Sequence, residues 1–117
     1  MRYVDGFLLP VPKKKLEAYR RLAQKAGKIW KEHGALEYRE CIGDDMNIKG
    51  MVPFPRAAKA KAGEKVFFSW IVYKSKAHRD RVIKKVMKDP RLASMIEKPP
   101  FDMKRMACGG FKALVDL

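Results

Sequence analysis

Val66-Phe67-Phe68-Ser69-Trp70-Ile71-Val72-Tyr73 is the stretch on which the fold turns. Every residue in it but Ser69 is β-branched or aromatic, the composition of a pleated, buried strand. Side chains alternate across a strand, so Val66, Phe68, Trp70 and Val72 share one face and Phe67, Ser69, Ile71 and Tyr73 the other. A strand with one wet face alternates apolar and polar residues. This one does not, which predicts a central strand covered on both sides.

Working outward from Lys65–Lys74, the chain offers three more strands and two helices. The first strand spans Arg2–Val11 and closes at Pro10 and Pro12. It too is apolar on both faces, with Val4 and Leu8 on one and Tyr3, Phe7 and Leu9 on the other. A helix follows from Lys13 to His33. Leu16, Tyr19, Ala23, Ala26, Trp30 and His33 recur at steps of three and four, Leu22 and Ile29 widen the stripe, and Gly34 stops it. A second strand, Ala35–Ile42, ends at Gly43-Asp44-Asp45, where the aspartates favour a turn. The long connection Met46–Glu64 carries Gly50, Pro53, Pro55 and Gly63, and connections of that length are often functional. Beyond the central strand, Ser75 caps a second helix running to Lys88, with Val82, Ile83, Val86 and Met87 inward. Asp89-Pro90 breaks it, a turn or short helix runs through Ile96, and a last strand covers Lys104–Val115. Gly109-Gly110 within that strand implies a bulge or a close backbone approach.

The order βαββαβ predicts one α+β domain over residues 1–117, folded as a ferredoxin-like four-stranded antiparallel sheet of order 4-1-3-2 with both helices on one face. Two helices cover only one side of that sheet. The other would expose a patch of several hundred Å², more than soluble monomers usually show. A second copy, pairing the sheets face to face as a dimeric α+β barrel, is the expected cover. The dimer contact is assigned to Tyr3, Phe7, Leu9, Phe67, Ile71 and Tyr73.

The formal charge of +14, from 27 Lys+Arg against 13 Asp+Glu, attracts polyanions without specificity. The basic residues are spread along the whole chain, which favours a solvated lysine surface over a nucleic-acid groove. An RNA-recognition motif needs a glycine and a second aromatic in its third strand, where Lys65-Val66-Phe67-Phe68-Ser69 has Val66 and Ser69. Cys41 and Cys108 fit no disulfide framework or zinc spacing and read as thiols of a cytoplasmic protein. No signal segment or membrane span is expected, and no metal or other cofactor is predicted.

In this topology one end of the sheet gathers Asp5, His33, Glu37, Tyr73, His78 and Arg79. Asp5 interrupts an apolar central strand and needs a partner. Arg79 falls in the apolar arc of the second helix, near its start, and needs an anion. Asp5 and Arg79 are therefore expected to pair. The pair fixes the helix on the sheet, or Arg79 and His78 hold an anionic or carbonyl substrate; both readings stay open. His33, at a helix end, also suits a capping role. Glu37 and Glu40 alternate to opposite faces and cannot share a site. His78-Arg79-Asp80 matches a kinase catalytic loop in letters only, without the glycine-rich loop that chemistry requires. The expected function is a small-molecule binder or cofactor-independent enzyme. A polyanion-binding module and a structural or regulatory dimer are the alternatives.

Taken together, Tyr3-Val4-Asp5-Gly6-Phe7, Trp30 with Glu32-His33-Gly34-Ala35-Leu36-Glu37-Tyr38, Phe68-Ser69-Trp70, Tyr73-Lys74-Ser75-Lys76-Ala77-His78-Arg79-Asp80, Asp89-Pro90-Arg91 and Gly109-Gly110-Phe111 make the chain similar to the YbaA-like family of uncharacterised bacterial proteins. The resemblance covers essentially the whole chain. It implies membership of the dimeric α+β barrel superfamily, whose paired sheets often enclose a ligand cavity and whose members include cofactor-free monooxygenases, lactone isomerases and haem enzymes. No catalytic role is carried over from the family.

Overall fold

The computed structural model describes residues 1–117. Strand β1 (Tyr3–Pro12) leads through a 3-10 turn, Lys13–Lys15, into helix α1 (Leu16–Glu32). Strand β2 (Glu37–Ile42), a short helix α2 (Phe54–Ala57) and strand β3 (Glu64–Tyr73) follow. Helices α3 (Lys76–Met87) and α4 (Pro90–Met95), a 3-10 turn at Met103–Arg105 and strand β4 (Ala107–Lys112) complete the chain. All strand pairs are antiparallel and the order is β2-β3-β1-β4, the expected 4-1-3-2 read from the other edge. No helix is long and apolar enough to cross a membrane.

The helix ends follow the local chemistry of the sequence. Gly34 takes φ +116°, and the amides of Gly34 and Ala35 reach back to the carbonyls of Lys31 and Trp30, a Schellman ending for α1. Ser75 caps α3 by accepting from the His78 amide at 3.1 Å. Asp89 caps α4 from before Pro90.

One strand boundary differs from expectation, and two open readings are resolved. Strand β4 is six residues rather than the twelve of Lys104–Val115: ladder pairing with β1 ends at Tyr3–Lys112, followed only by a bond from the Ala113 amide to the Arg2 carbonyl at 3.0 Å, and the turn at Met103–Arg105 precludes pairing before Ala107. It has no bulge; Gly109 and Gly110 pair in regular register with Gly6 and Asp5. What they signal is close approach, since a Cβ on Gly110 would lie 2.6 Å from Arg79 Nη2 and 2.7 Å from Tyr3 Cε2. The long connection is also partly ordered, with α2 seated so that Phe54 meets Phe68 edge-on at 5.9 Å.

The largest correction concerns the sheet faces. Tyr3, Leu9, Phe67, Ile71 and Tyr73, assigned to a dimer contact, lie buried beneath the helices, and Phe7 packs against both core clusters there. When both faces of a strand are apolar, alternation separates the faces but does not say which one the helices cover. The helices cover this face with Tyr19, Ala23 and Ile29 of α1, Val82 and Val86 of α3 and Leu92 of α4, and Gly110 leaves room for Tyr3. The open face instead carries Val4, Leu8, Phe68, Trp70 and Phe111, as the register of β1, β3 and β4 requires. Phe68 remains 45% exposed and Phe111 63%.

Under the helices the core is split. One cluster centres on Ile29, Ile71, Tyr73, Val82 and Val86, the other on Leu9, Val11, Tyr19, Ala23 and Phe67. Phe7 bridges them, and Ser69, paired with Phe7 and Glu40, lies on the same row. That polar row is where the layers part.

Candidate functional site

Between sheet and helices lies a cavity of ≈ 630 Å³, and 18 of its 26 lining residues are hydrophobic. Its sheet side is built from Asp5 and Phe7 of β1, Ser69, Ile71 and Tyr73 of β3, Tyr38 and Glu40 of β2, and Cys108 and Gly110 of β4. Its helix side is built from Leu22, Ala26 and Trp30 of α1 and Ile83 and Met87 of α3. Met87, Ile96 and Met103 line it yet are more than half exposed, so they form its rim. Met87, expected inward, is thus a mouth residue; methionines suit an opening that must adapt to what enters.

Polar chemistry sits at two places on this apolar wall. At the first, Arg79 reaches down from the first turn of α3 and its Nε lies 3.4 Å from Asp5 Oδ1. The guanidinium also stands 4.9 Å from the Tyr3 ring centre and donates to the Tyr3 hydroxyl at 3.2 Å. Arg79 Nε is nevertheless buried with no hydrogen-bond acceptor in reach of good geometry. Burial pushes the Asp5 carboxyl above its ordinary pKa, more than the Arg79 charge and the Tyr73 hydroxyl pull it down. The Trp30 indole N–H donates to the Tyr73 oxygen at 3.1 Å, which leaves the tyrosine proton available to Asp5. Asp5, Tyr73 and Arg79, three of the expected residues, are thus brought together.

At the second place Glu40, on edge strand β2, accepts from the Tyr19 hydroxyl at 2.8 Å and from the Tyr38 hydroxyl at 3.5 Å. Burial again raises the carboxyl's pKa, against the two tyrosine bonds. The same burial, with Glu40 alongside, drives both phenols far above their usual range, so they remain donors. Tyr38 is positioned by Gly27 of α1, where a Cβ would sit 2.7 Å from the ring. Tyr19, Tyr38 and Glu40 also line a more open groove of ≈ 820 Å³ on the outer flank of α1. That groove is a surface feature: its Arg20 is engaged by Glu17 and its Lys31 by the Leu36 carbonyl.

The remaining candidates lie elsewhere. His33 contacts Asp89 Oδ2 at 2.9 Å and joins α1 to the start of α4. His78 accepts from the Lys74 amide at 3.0 Å and packs edge-on against Tyr73, outside the cavity lining. Burial and the charges of Lys74, Arg81 and Lys85 hold its pKa below the ordinary value. Glu37 pairs with Val72 and so stands on the open face, as alternation from Glu40 required. Glu40, Tyr19 and Tyr38 were absent from the expected site. The available signal was Tyr19 within the buried stripe of α1, a hydroxyl that needed an acceptor. No three His, Cys, Asp or Glu side chains are grouped so that they could hold a metal ion.

The family model described as Protein of unknown function (DUF1428) matches residues 2–103. The uncharacterized protein YbaA of Escherichia coli K12 is 47% identical over 116 residues, spanning 99% of both chains. Among solved structures, Rv0793 of Mycobacterium tuberculosis is similar with a TM-score of 0.62 at 12% identity, covering 99% of this chain and 98% of its own. SnoaB of Streptomyces nogalater, a cofactor-independent oxygenase, has a TM-score of 0.62 at 9% identity over 99% of this chain and 96% of its own. A dimeric ferredoxin-like protein from an uncultured marine organism has a TM-score of 0.59 at 11% identity over 100% of both. At these identities the structural likeness is one of fold.

Proposed function

The chain belongs to the DUF1428 family of proteins of unknown function, and we propose that it is a homodimeric, cytoplasmic small-molecule-binding protein or cofactor-independent enzyme whose ligand occupies the cavity beneath its helices. The observation that carries this reading is the buried Arg79 Nε, a donor without an acceptor on the wall of an apolar cavity. A buried unsatisfied donor costs about 1–3 kcal/mol, and a ligand oxygen seated beside Asp5 would satisfy it. A largely apolar cavity of this size with a few convergent polar groups is the ordinary form of a small-molecule site. The oxygenase SnoaB shares the fold, but a fold carries no reaction by itself; it is the cavity and its polar groups that support the reading.

The dimer half of the reading rests on the open sheet face. Phe68, Trp70, Leu8, Val4 and Phe111 form a contiguous apolar surface, and a second copy related by a two-fold axis would cover it with the same surface. That a dimeric ferredoxin-like protein shares the fold supports self-association.

Calorimetric titration with 1-naphthylmethanol, an apolar probe with one hydroxyl, tests the cavity. The expected result is one site per chain with a negative heat-capacity change, lost in an Arg79→Ala protein that still melts cooperatively. Absence of saturable binding to the unaltered protein would overturn the reading, and an Arg79→Ala protein that fails to fold would assign Arg79 to structure.

A further inference from the structure

The two carboxylates on the cavity wall differ in one respect. Asp5 has Arg79 at 3.4 Å, whereas Glu40 has no Lys, Arg or His within ion-pair distance and is held only by the neutral hydroxyls of Tyr19 and Tyr38. The chain has 27 cationic side chains and pairs most of its acids with them: Glu17 with Arg20, Glu32 with Arg91, Glu64 with Arg105, Asp89 with Arg91 and Asp102 with Arg105. The sheltered acid at the cavity wall is thus left without a counter-charge in a strongly basic protein.

Resting on the small-molecule reading above, we infer that Glu40 is the anchor for a cationic ligand: the cavity takes a primary or secondary ammonium carried on an apolar, aromatic-sized body. A carboxylate offers about four acceptor positions, and the tyrosines use one on each oxygen, so an ammonium N–H has acceptors to meet. Tyr19, Tyr38 and Trp30 line the same cavity, and aromatic faces beside the carboxylate favour a cation. Bringing the charge in as an ion pair offsets the cost of burying Glu40 alone. The groups facing Glu40 are Tyr19 from α1, Tyr38 beside it on β2 and Ser69 across the register on β3, none of them cationic. Arg20, Lys28 and Lys31 line the outer groove and are absent from the cavity lining. The two cations that do line the cavity are Arg79, engaged by Asp5 and the Tyr3 hydroxyl, and Arg39, which pairs with Trp70 and so alternates to the other face of β2 from Glu40. The exposed rim residues Met87, Ile96 and Met103 are uncharged, so entry there does not meet a like charge.

The test compares three probes of one shape: 1-naphthylmethylamine, 1-naphthylmethanol and 1-naphthoic acid, each titrated into the full-length protein and into Glu40→Gln at neutral pH. The amine should bind most tightly and the acid least. Glu40→Gln, which keeps the size of the side chain and an acceptor for Tyr19, should weaken the amine by about tenfold to a hundredfold, the worth of a charge-assisted hydrogen bond, and leave the alcohol unchanged. If the alcohol binds as well as the amine, or Glu40→Gln weakens both equally, the cationic assignment is wrong while the cavity reading stands. If no probe binds, both fail together. Should Glu40→Gln not fold, Tyr19→Phe serves as the second variant: it leaves the charge in place, so the amine must keep its advantage over the alcohol, and loss of that advantage overturns the assignment.

Discussion

Tyr19 of α1 and Glu40 of β2 meet hydroxyl to carboxylate at 2.8 Å, joining a helix to an edge strand across the wall of the cavity. Because burial holds the Glu40 carboxyl above its ordinary pKa, the folded chain keeps this proton at a pH where the unfolded chain has released it. The stabilising contribution is therefore complete below about 4.5, the unfolded value, and is lost as pH rises through the folded pKa. Glu40→Gln removes that dependence. Urea unfolding of both proteins at pH 4 and pH 7 should show Glu40→Gln gaining on the parent at the higher pH; a constant difference would mean Glu40 titrates normally.

Gly27 is the second constraint on this wall. At an ordinary mid-helix position Gly→Ala stabilises by about 1 kcal/mol. Here the new methyl would overlap Tyr38 Cδ1 and Cε1 at 2.7 and 2.8 Å and crowd Cγ at 3.2 Å, along one edge of a ring held at its hydroxyl by Glu40. Overpacking of this kind costs about 1–3 kcal/mol. Gly27→Ala should therefore be net destabilising by up to about 2 kcal/mol by chemical denaturation, and a more stable protein would show that Tyr38 is free to move.

How much of this was legible in the sequence depends on the strand. The central pair could be read because Val66–Tyr73 and Tyr3–Leu9 are apolar on both faces, a pattern that requires cover twice over. The same property hid which face the helices take, so the apolar surface left open was named one residue out of phase. The Asp5–Arg79 pairing could be read because each residue broke an apolar pattern and needed the other. Glu40 could not, because Glu37-Tyr38-Arg39-Glu40 on an edge strand has no apolar rhythm for an acid to interrupt. His33 and His78 were grouped with the site by the topology, yet local backbone and capping contacts at the helix ends claim them.

Arg105 and Glu64 form a two-pronged pair at 2.6 and 2.7 Å that fastens the approach to β4 onto the start of β3. Arg105, then the Lys61 amide, hold the Glu64 carboxyl down at about 2. A lowered folded pKa means its contribution is fully present above 4.5 and disappears as pH falls toward about 2. Arg105→Ala removes both hydrogen bonds to the Glu64 carboxylate and should be destabilising at pH 7. The gap from the parent should narrow in acid. A gap of equal size at pH 7 and pH 3 would contradict the assignment.

Phe68 stands at the centre of the open face, 5.8 Å from the Trp70 ring. A charge there would be buried unpaired in the proposed dimer, whereas in a monomer it reaches water at a position 45% exposed and forfeits only the ring contacts to Phe54 and Trp70. Phe68→Asp should give a folded monomer by light scattering where the parent is a dimer at both low and moderate salt. A parent that is monomeric, or that associates only at low salt, would remove the dimer from the reading.

The most direct measurement on the central claim is calorimetric binding of 1-naphthylmethanol to the parent and to Ala26→Phe. Ala26 lines the cavity from α1, and a benzyl group there takes up cavity space while leaving Asp5, Glu40 and Arg79 unsubstituted. The account predicts saturable binding to the parent and none to Ala26→Phe, with both proteins unfolding cooperatively. Equal binding to the two would place the ligand elsewhere and contradict it.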